Sequence, residues 1–555
     1  MLNNQRKFIE TLNKIKDISI NCEIDKNDTE KLLDLVENAT LIVPVVGDFN
    51  AGKSTLLNKF MGKDILEVNI KPETAVPAEL YYSEEEYDIG VDKDNKQIKL
   101  DNVEAENIKD YLYIKRYVNS ENLKKIEPII LVDMPGFDSP FEKHNEAIIS
   151  YLDKGVYYII LVPVNAGTIT KSMMFQIKNI INLKNDFSLF ITKTDLRNEE
   201  SIKGVSEEIK NRLESIDINK DIAYINQNDI CLFDSMIKEL DPEQLFNSIF
   251  IDAVKDACYN TSNSINVKIS ALKKDKDKND KTIKELEDSL KELQRKKESM
   301  IEEVKKNSYE NETNGILSRV GKELNDSIDS LVNIALSGDS ESLKDEIINI
   351  IQSIIIEKLG KVIEELNSSI NIQFSDDIRN LNNILSDYNI TNKINDVIER
   401  FNILGKIEGM SLSIDADGTK TIKKGYKAIS TALAVFTNVI HPVLEIVIIF
   451  LPEILDLFLS SFLKSKQKEE ARKQILLLIP TIKRKLKPHI IGVLKKEAEE
   501  RINGISQSLD EELNKKKSEI EEAQKQQTSN DKTEELIKKY QENLKLVDEV
   551  SAYLY

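Results

Sequence analysis

Eight residues, Gly47 to Ser54 (GDFNAGKS), combine glycines, a lysine and a hydroxyl at the spacing of a phosphate-binding loop. The glycines let the backbone wrap tightly, so that successive N–H groups point inward at a phosphate. We expect Lys53 to reach the β- and γ-phosphates of a nucleotide and Ser54 to offer its hydroxyl to Mg²⁺. The other residues predicted to line this site are Gly47, Asp48, Asn50, Ala51, Gly52 and Thr55.

Two elements must hold such a loop, and the sequence supplies both. The apolar run from Leu41 to Val46 predicts a strand, and Ser54 to Met61 predicts a helix whose N-terminus faces the phosphate. Pro44 lies inside the apolar run, where it removes one hydrogen-bond donor from the sheet. The strand therefore either begins at Pro44 or carries a bulge there.

A second motif, Asp133 to Gly136 (DMPG), follows the apolar run from Ile129 to Val132. In this position a carboxylate contacts Mg²⁺ through water, and the glycine N–H senses the γ-phosphate. An ordinary Pro-Gly turn is the alternative. Thr74 lies between the two motifs and is the best candidate for a threonine that binds Mg²⁺ only with the triphosphate; otherwise it is a loop residue near a proline.

A third motif, Thr192 to Asp195 (TKTD), follows the apolar run from Phe187 to Ile191. Asp195 would accept two hydrogen bonds from N1 and N2 of guanine, which adenine cannot donate. The aliphatic part of Lys193 would lie along the ring. The sequence therefore predicts GTP or GDP with Mg²⁺ rather than ATP. Asn226, after a last predicted strand, either touches the base or ribose or shapes a turn.

Composition limits the remaining possibilities. The chain has 555 residues and a net charge of -19, which favours two to four domains and makes a nucleic-acid partner unexpected. Three separate cysteines and a polar N-terminus without a signal peptide favour reduced thiols and a cytoplasmic location.

The pattern of apolar residues divides the chain. Residues 1–40 predict a helix, and residues 41–246 alternate strands and helices, as in an α/β head with a doubly wound, mostly parallel sheet. From residue 247 to the end, helical periodicity takes over. Three apolar stripes, starting at Ile283, Leu494 and Leu536, predict an elongated all-α bundle.

Residues 428–463 are the most apolar stretch. Pro442 and Pro452 interrupt it, and acidic residues occupy its second half, so a bent hairpin is favoured over a simple membrane-spanning helix. Basic residues flank it within 420–473, a pattern that binds anionic lipid surfaces. The alternative is a hairpin buried in the bundle core.

The motifs GDFNAGKST, DMPG and TKTD, with Thr74 and a long helical tail, resemble the dynamin superfamily, and bacterial dynamin-like proteins most closely. The motif match covers roughly residues 41–230; beyond it the likeness is only architectural. The resemblance implies a neck from residues 1–40, 247–305 and about 500–555. It implies trunk helices at 306–427, an apolar tip at 428–463, and returning trunk and neck helices at 464–555.

The same resemblance implies GTP hydrolysis, head dimerisation or higher self-assembly, membrane remodelling at the inner face of the membrane, and a possible partner dynamin-like subunit. Phe137 follows Gly136 where a water-orienting glutamine would stand in other GTPases, so catalysis needs another source of charge. Asn50 resembles the asparagine of potassium-activated GTPases, which implies K⁺ as a cofactor; a purely loop-shaping role is the alternative. His144 is expected at the surface.

Two other functions stay open from the sequence. One is a soluble GTP-switched scaffold whose helices bind protein partners. The other is a nucleotide-binding protein with negligible turnover.

Overall fold

A computed structural model provides the structure of the protein. It describes residues 1–48, 50–66, 76–92, 96–100, 111–136, 151, 154–170, 173–174, 177, 180–181, 186–215, 218–337, 340–388, 468–527 and 530–554. The predictions for Thr74, Phe137, His144 and the apolar stretch 428–463 lie outside these residues.

One sheet of nine strands forms the head, in the spatial order β4-β3-β5-β2-β6-β1-β7-β8-β9. The strands are β1 (Leu41–Gly47), β2 (Ala78–Tyr82), β3 (Tyr87–Val91), β4 (Gln97–Leu100), β5 (Tyr113–Val118), β6 (Ile129–Asp133), β7 (Tyr157–Pro163), β8 (Asp186–Thr192) and β9 (Ile222–Tyr224).

Strands β6, β1, β7, β8 and β9 pair in parallel, and every residue of β1 is buried. The reason is the apolar composition of these strands, which suits a sheet covered on both faces. Antiparallel pairs join β2 to β6 and β3 to its two neighbours. The predicted doubly wound, mostly parallel head is therefore confirmed.

Both explanations offered for Pro44 are wrong. Strand β1 begins at Leu41, and its register with β6 runs without a bulge from Leu41 opposite Ile129 to Val45 opposite Asp133. Pro44 lies opposite Val132 within that run. The strand is held by partners on both sides, so it tolerates the loss of one donor.

The described helices of the head and its flanking segments are α1 (Asn3–Asn21), α2 (Asn27–Glu37), α3 (Lys53–Met61), α4 (Glu121–Ile126), α5 (Glu199–Glu214), α6 (Cys231–Glu239) and α7 (Pro242–Lys273). The others are α8 (Lys276–Lys306), α9 (Glu310–Asp326), α10 (Ile328–Ser337), α11 (Ser340–Ile384), α12 (Lys468–Gln526) and α13 (Asn530–Ala552).

The single helix expected over residues 1–40 is in fact two helices. The chain breaks after α1, where Cys22 ends the helix and Glu23 adopts a left-handed backbone conformation (φ 53°). Helix α1 packs on α7 and α13, and the Phe8 and Phe246 rings lie 5.9 Å apart. The apolar stripe of α1 therefore packs against helices that are distant in the sequence.

The chain divides into two compact units. The first contains Met1–Glu287, Leu381–Ser430 and Glu512–Tyr555. It therefore includes the sheet and the helices α1, α7 and α13. The second contains Asp288–Asn380 and Thr431–Glu511. Within the second unit the predicted stripe of α12 is buried, including Leu494, Ile502 and Leu509. Among the helices that the structure describes, none combines the length and the apolar run needed to cross a bilayer.

Candidate functional site

The phosphate-binding loop connects the buried end of β1 to the first turn of α3. A side chain at Gly47 would meet the Leu161 carbonyl oxygen at 2.5 Å, so only glycine fits against β7. Gly52 has φ +92°, a conformation that glycine adopts without strain. Asn50 is exposed and also left-handed (φ 64°), a region that asparagine tolerates. The backbone geometry of the loop therefore explains why glycine occurs at positions 47 and 52 and why asparagine is tolerated at position 50.

Lys53 is the most deeply placed charge of the loop. Lys53 is only 8% exposed, and its Nζ donates to the carbonyl oxygens of Gly47 (3.1 Å) and Asp48 (3.0 Å). Burial lowers the pKa of the Lys53 ammonium, while the carboxylates of Asp133 and Asp48 act to raise it. A phosphate bound at this point would supply negative charge that favours the protonated ammonium, which burial disfavours.

Ser54 and Asp133 meet at the start of α3 and the end of β6. The Ser54 hydroxyl donates to Oδ2 of Asp133 at 2.6 Å. The second carboxylate oxygen, Oδ1, is buried and has no hydrogen-bond partner among the described residues. Burial raises the pKa of Asp133, against the hydrogen bond from Ser54 and the positive charge of Lys53.

This pair fits the requirements of a magnesium site. Mg²⁺ prefers hard oxygen ligands and usually takes only one or two from the protein, the rest being water and phosphate. A hydroxyl and a buried carboxylate oxygen without a partner are donors of that kind.

Next to the loop lies a cavity of about 250 Å³. Its lining combines loop and helix residues with the residues that follow β8 and β9, among them Ala51, Gly52, Thr55, Thr192, Lys193 and Asp195. The Thr192 hydroxyl donates to the Ala51 carbonyl at 2.7 Å, which joins the third motif to the phosphate loop. Lys193 takes a left-handed conformation (φ 57°), after which Asp195 is exposed at the cavity.

Asn226 also lines this cavity, but its side chain has another role as well. Its Oδ1 accepts hydrogen bonds from the backbone N–H groups of Asn228 (2.9 Å) and Asp229 (3.0 Å). This is the local turn geometry that asparagine favours. Its neighbour Gln227 donates to Oδ2 of Asp195 at 3.4 Å and lines the cavity too. Sequence reasoning missed Gln227, although its place after the last strand was a usable signal.

The structure thus brings the first and third motifs and Asp133 to one edge of the sheet, at the carboxyl ends of β1, β6 and β8. Gly136 is buried shortly after Asp133.

Comparison with known proteins agrees with this geometry. Residues 43–195 match the model of the dynamin family. An uncharacterised protein in the xynA 3' region of Caldicellulosiruptor sp. (strain Rt8B.4) is 26% identical over 218 residues, 36% of this chain and 51% of that protein. Dynamin-like protein 1 of Campylobacter jejuni subsp. jejuni serotype O:23/36 (strain 81-176) is 26% identical over 270 residues, 40% of this chain and 37% of that protein.

The chain therefore spans about half, or less, of the length of the curated relatives it matches. A solved structure described as an oligomerised bacterial dynamin pair, with a mechanism for long-range sensing and tethering of membranes, is 14% identical. The match covers 93% of this chain and 91% of that one, with a TM-score of 0.32, too low to support an argument.

The family match contains the phosphate loop, Asp133 and Asp195, the residues that the fold gathers at one edge of the sheet. On these grounds residues 43–195 resemble the dynamin family, and part of the chain is similar to a bacterial dynamin-like protein.

Proposed function

We propose that this protein binds GTP with Mg²⁺ and hydrolyses it to GDP and phosphate. The observation that carries the proposal is the placement of Lys53, the Ser54–Asp133 pair and the Lys193–Asp195 cavity along one edge of the sheet. These three groups match the phosphates, the magnesium ion and the base of one nucleotide.

Each group has a distinct task. The loop N–H groups and Lys53 hold the phosphates, and Asp195 accepts hydrogen bonds from N1 and N2 of guanine. Ser54 and Asp133 would hold Mg²⁺, which neutralises charge on the phosphate oxygens when it is bound. The loop needs little rearrangement because Lys53 is already held over it by two backbone carbonyls.

Base selectivity is the sharpest test of nucleotide identity. We expect calorimetry to show binding of GDP and a nonhydrolysable GTP analogue, and none of ADP. In Asp195→Asn the amide would accept from N1 and donate to the 2-oxygen of xanthine, so preference should move to xanthosine diphosphate. Asp186→Asn, at the opposite end of β8 and bonded to Lys220, is the matched control and should keep guanosine selectivity. Selectivity for adenosine compounds would refute the proposal.

Turnover is proposed to rise when heads dimerise and K⁺ binds near Asn50. Asn50 is exposed, as a residue completed by a second head would be, but its left-handed conformation equally suits the loop-shaping alternative. We expect GTP hydrolysis per molecule to increase with protein concentration and to be faster in K⁺ than in larger inert cations. Flat turnover in both measurements would leave only the loop-shaping role.

We further propose that the protein acts at anionic membranes through the apolar stretch 428–463, in the manner of a membrane-remodelling GTPase. The support is the apolar sequence with basic flanks. We expect wild-type protein to sediment with anionic liposomes, and Phe450→Asp and Leu451→Asp to reduce sedimentation. Leu477→Asp, at a leucine of α12 that is 65% exposed, is the control and should sediment as wild type. Equal sedimentation of all variants, or none, would favour the soluble scaffold.

A further inference from the structure

Glu497 of α12 is a carboxyl group buried within the second compact unit. It is 6% exposed, and Asn367 of α11, which contacts it, is 2% exposed. Nδ2 of Asn367 donates to Oε1 of Glu497 at 3.1 Å. The guanidinium one turn further along α12, at Arg501, donates instead to Oδ1 of Asn371 (3.2 and 3.0 Å). The hydrogen-bond partner of this buried carboxyl group is therefore an amide, where a cation would be expected.

The carbonyl oxygen of the same amide, Asn367 Oδ1, is buried and has no hydrogen-bond partner among the described residues. An acceptor left unsatisfied in the interior lowers the stability of the fold. An ionised carboxylate only accepts hydrogen bonds, whereas a protonated carboxyl group also donates one. Only the protonated form of Glu497 therefore complements both polar atoms of the Asn367 amide.

The charges around the carboxyl group agree with this geometry. Burial raises the pKa of Glu497, and the negative charge of Glu500 raises it further. The hydrogen bond from Asn367 and the cations Arg501 and Lys496 lower the pKa without reversing the shift. These three charged residues belong to α12, while the group that α11 presents to the carboxyl is an amide. Burial is thus the largest influence, and it favours the neutral acid.

We propose that Glu497 and Asn367 form a pH-sensitive latch between α11 and α12. In its protonated form the acid pairs with the amide through two hydrogen bonds, from Asn367 Nδ2 to Glu497 Oε1 and from the Glu497 hydroxyl to Asn367 Oδ1. When the carboxyl group loses its proton, the second bond is lost, and a negative charge lies beside an unsatisfied carbonyl oxygen. The latch is therefore closed at lower pH and weakened at higher pH. It is independent of the proposed nucleotide site, because all its groups lie within the second unit.

The direction of the pKa shift decides the sign of the effect on stability. In the unfolded chain this carboxyl group releases its proton near the ordinary value of 4.5, whereas in the fold it keeps the proton to a higher pH. The stability that the latch contributes is therefore complete below 4.5 and is lost as the pH rises through the raised pKa. A carboxylate paired with a cation would show the opposite dependence.

Infrared difference spectra of the full-length protein test the protonation of Glu497 directly. We expect wild type minus Glu497→Gln to show the carbonyl band of a protonated carboxyl group, lost with a midpoint above 4.5 as the pH is raised. Glutamine suits this comparison because its amide both donates and accepts but cannot ionise. The control is Glu365→Gln, at an exposed glutamate of α11, in which the Glu497 band should remain. If Glu497→Gln does not fold, isotopic labelling of the glutamate carboxyl groups in wild type reveals the same band.

Asn367→Leu tests the pairing. Hydrogen bonding lowers the frequency of a carbonyl band, so the Glu497 band should move to higher frequency when its amide partner is removed.

Backbone hydrogen exchange, corrected for its intrinsic pH dependence, tests whether the pair joins the two helices. Around Asn367 and Glu497, wild type should exchange about tenfold faster above the infrared midpoint than below it, the effect of one unsatisfied buried polar group. Glu497→Gln should exchange slowly at both pH values.

Three results would each overturn the inference. The first is the absence of a protonated Glu497 band at every pH above 4.5. The second is a band that does not move in folded Asn367→Leu. The third is hydrogen exchange that changes with pH equally in wild type and Glu497→Gln.

Discussion

Two buried lysines show how the proposed nucleotide site differs from the helices of the same compact unit. Lys53 lies at the start of α3, and Lys268 lies in α7 with none of its surface exposed. Nζ of Lys268 donates to the carbonyl oxygens of Cys22 (3.2 Å) and Glu23 (2.6 Å) and to Oε2 of Glu522 (2.9 Å). Its three N–H donors are matched by three acceptors, one of them charged.

Lys53, in contrast, donates to two backbone carbonyls and to no carboxylate among the described residues. An ammonium has three donors, so one is available to the proposed phosphate. Burial lowers the pKa of Lys53. Lys268, with its acceptors complete, therefore stabilises the fold, whereas Lys53 keeps one donor that suits the proposed phosphate.

Exchanging Lys53 should give the largest effect. We expect Lys53→Ala to weaken GDP binding by at least about a hundredfold, because a charge-assisted contact to phosphate is lost. Its free energy of unfolding should change by less than about 1 kcal/mol. Lys53, unlike Lys268, has no hydrogen-bonded carboxylate among the described residues, so removal of its desolvated charge offsets the loss of the bonds to the Gly47 and Asp48 carbonyls. Calorimetry and urea denaturation measure the two quantities. If Lys53→Ala bound GDP as tightly as wild type, Lys53 would not be a phosphate-binding residue.

Lys268 should show the opposite behaviour. Lys268→Met keeps the volume but leaves the Cys22 and Glu23 carbonyls unsatisfied, so the free energy of unfolding should fall by about 2 kcal/mol. Affinity for GDP should not change. Lys273→Met, at an exposed lysine that ends the same helix, is the control and should stay within about 0.5 kcal/mol. Weakened GDP binding in Lys268→Met would show that this lysine also serves the site.

Asp133 extends the comparison to pH. Its raised pKa means that the ionised carboxylate is disfavoured in the ligand-free fold, so Asp133→Asn should stabilise that state by about 1 kcal/mol near neutral pH. The difference from wild type should shrink as the pH falls through the raised pKa, because wild-type Asp133 then becomes neutral too. Magnesium-dependent nucleotide binding should be lost. Melting curves without nucleotide across the acid range measure this, and a destabilised variant would contradict it.

The smallest effect concerns Gln527, which stabilises the helical part alone. Its Nε2 donates to the carbonyl oxygens of Ala271 (3.0 Å), Leu272 (3.0 Å) and Lys274 (2.7 Å) at the end of α7. Gln527→Ala should lower the free energy of unfolding by about 1 kcal/mol and leave nucleotide binding unchanged. The control is Gln524→Ala, which breaks an exposed 2.7 Å bond to Asp280 and should cost less. Equal losses would show that these carbonyls find water instead.

Much of the fold was predictable because most of its central strands are continuous apolar segments that can be recognised in the sequence. Strands β1, β6 and β8 are continuous apolar runs, and the sequence alone located them. Strands β4 and β5 were missed. The first is an exposed edge strand, and the second contains Lys115 and Arg116, which are buried there. Arg116 is acceptable in a buried strand because Asp88 balances its charge and the Ile65 carbonyl accepts from its Nη1. No local pattern in the sequence reveals those partners.

The sequence by itself determined the phosphate loop, the strand that carries Asp133, and the order of head and helices, because each depends on residues close together in the chain. Only the tertiary structure decided which buried polar groups are matched. Lys268 meets Glu522 across 254 positions, Ser54 meets Asp133 across 79, and Asn58 meets a backbone that must first turn back on its own helix. Tertiary packing brings such partners together, and a buried polar group lowers the stability of the fold unless it has a hydrogen-bond partner.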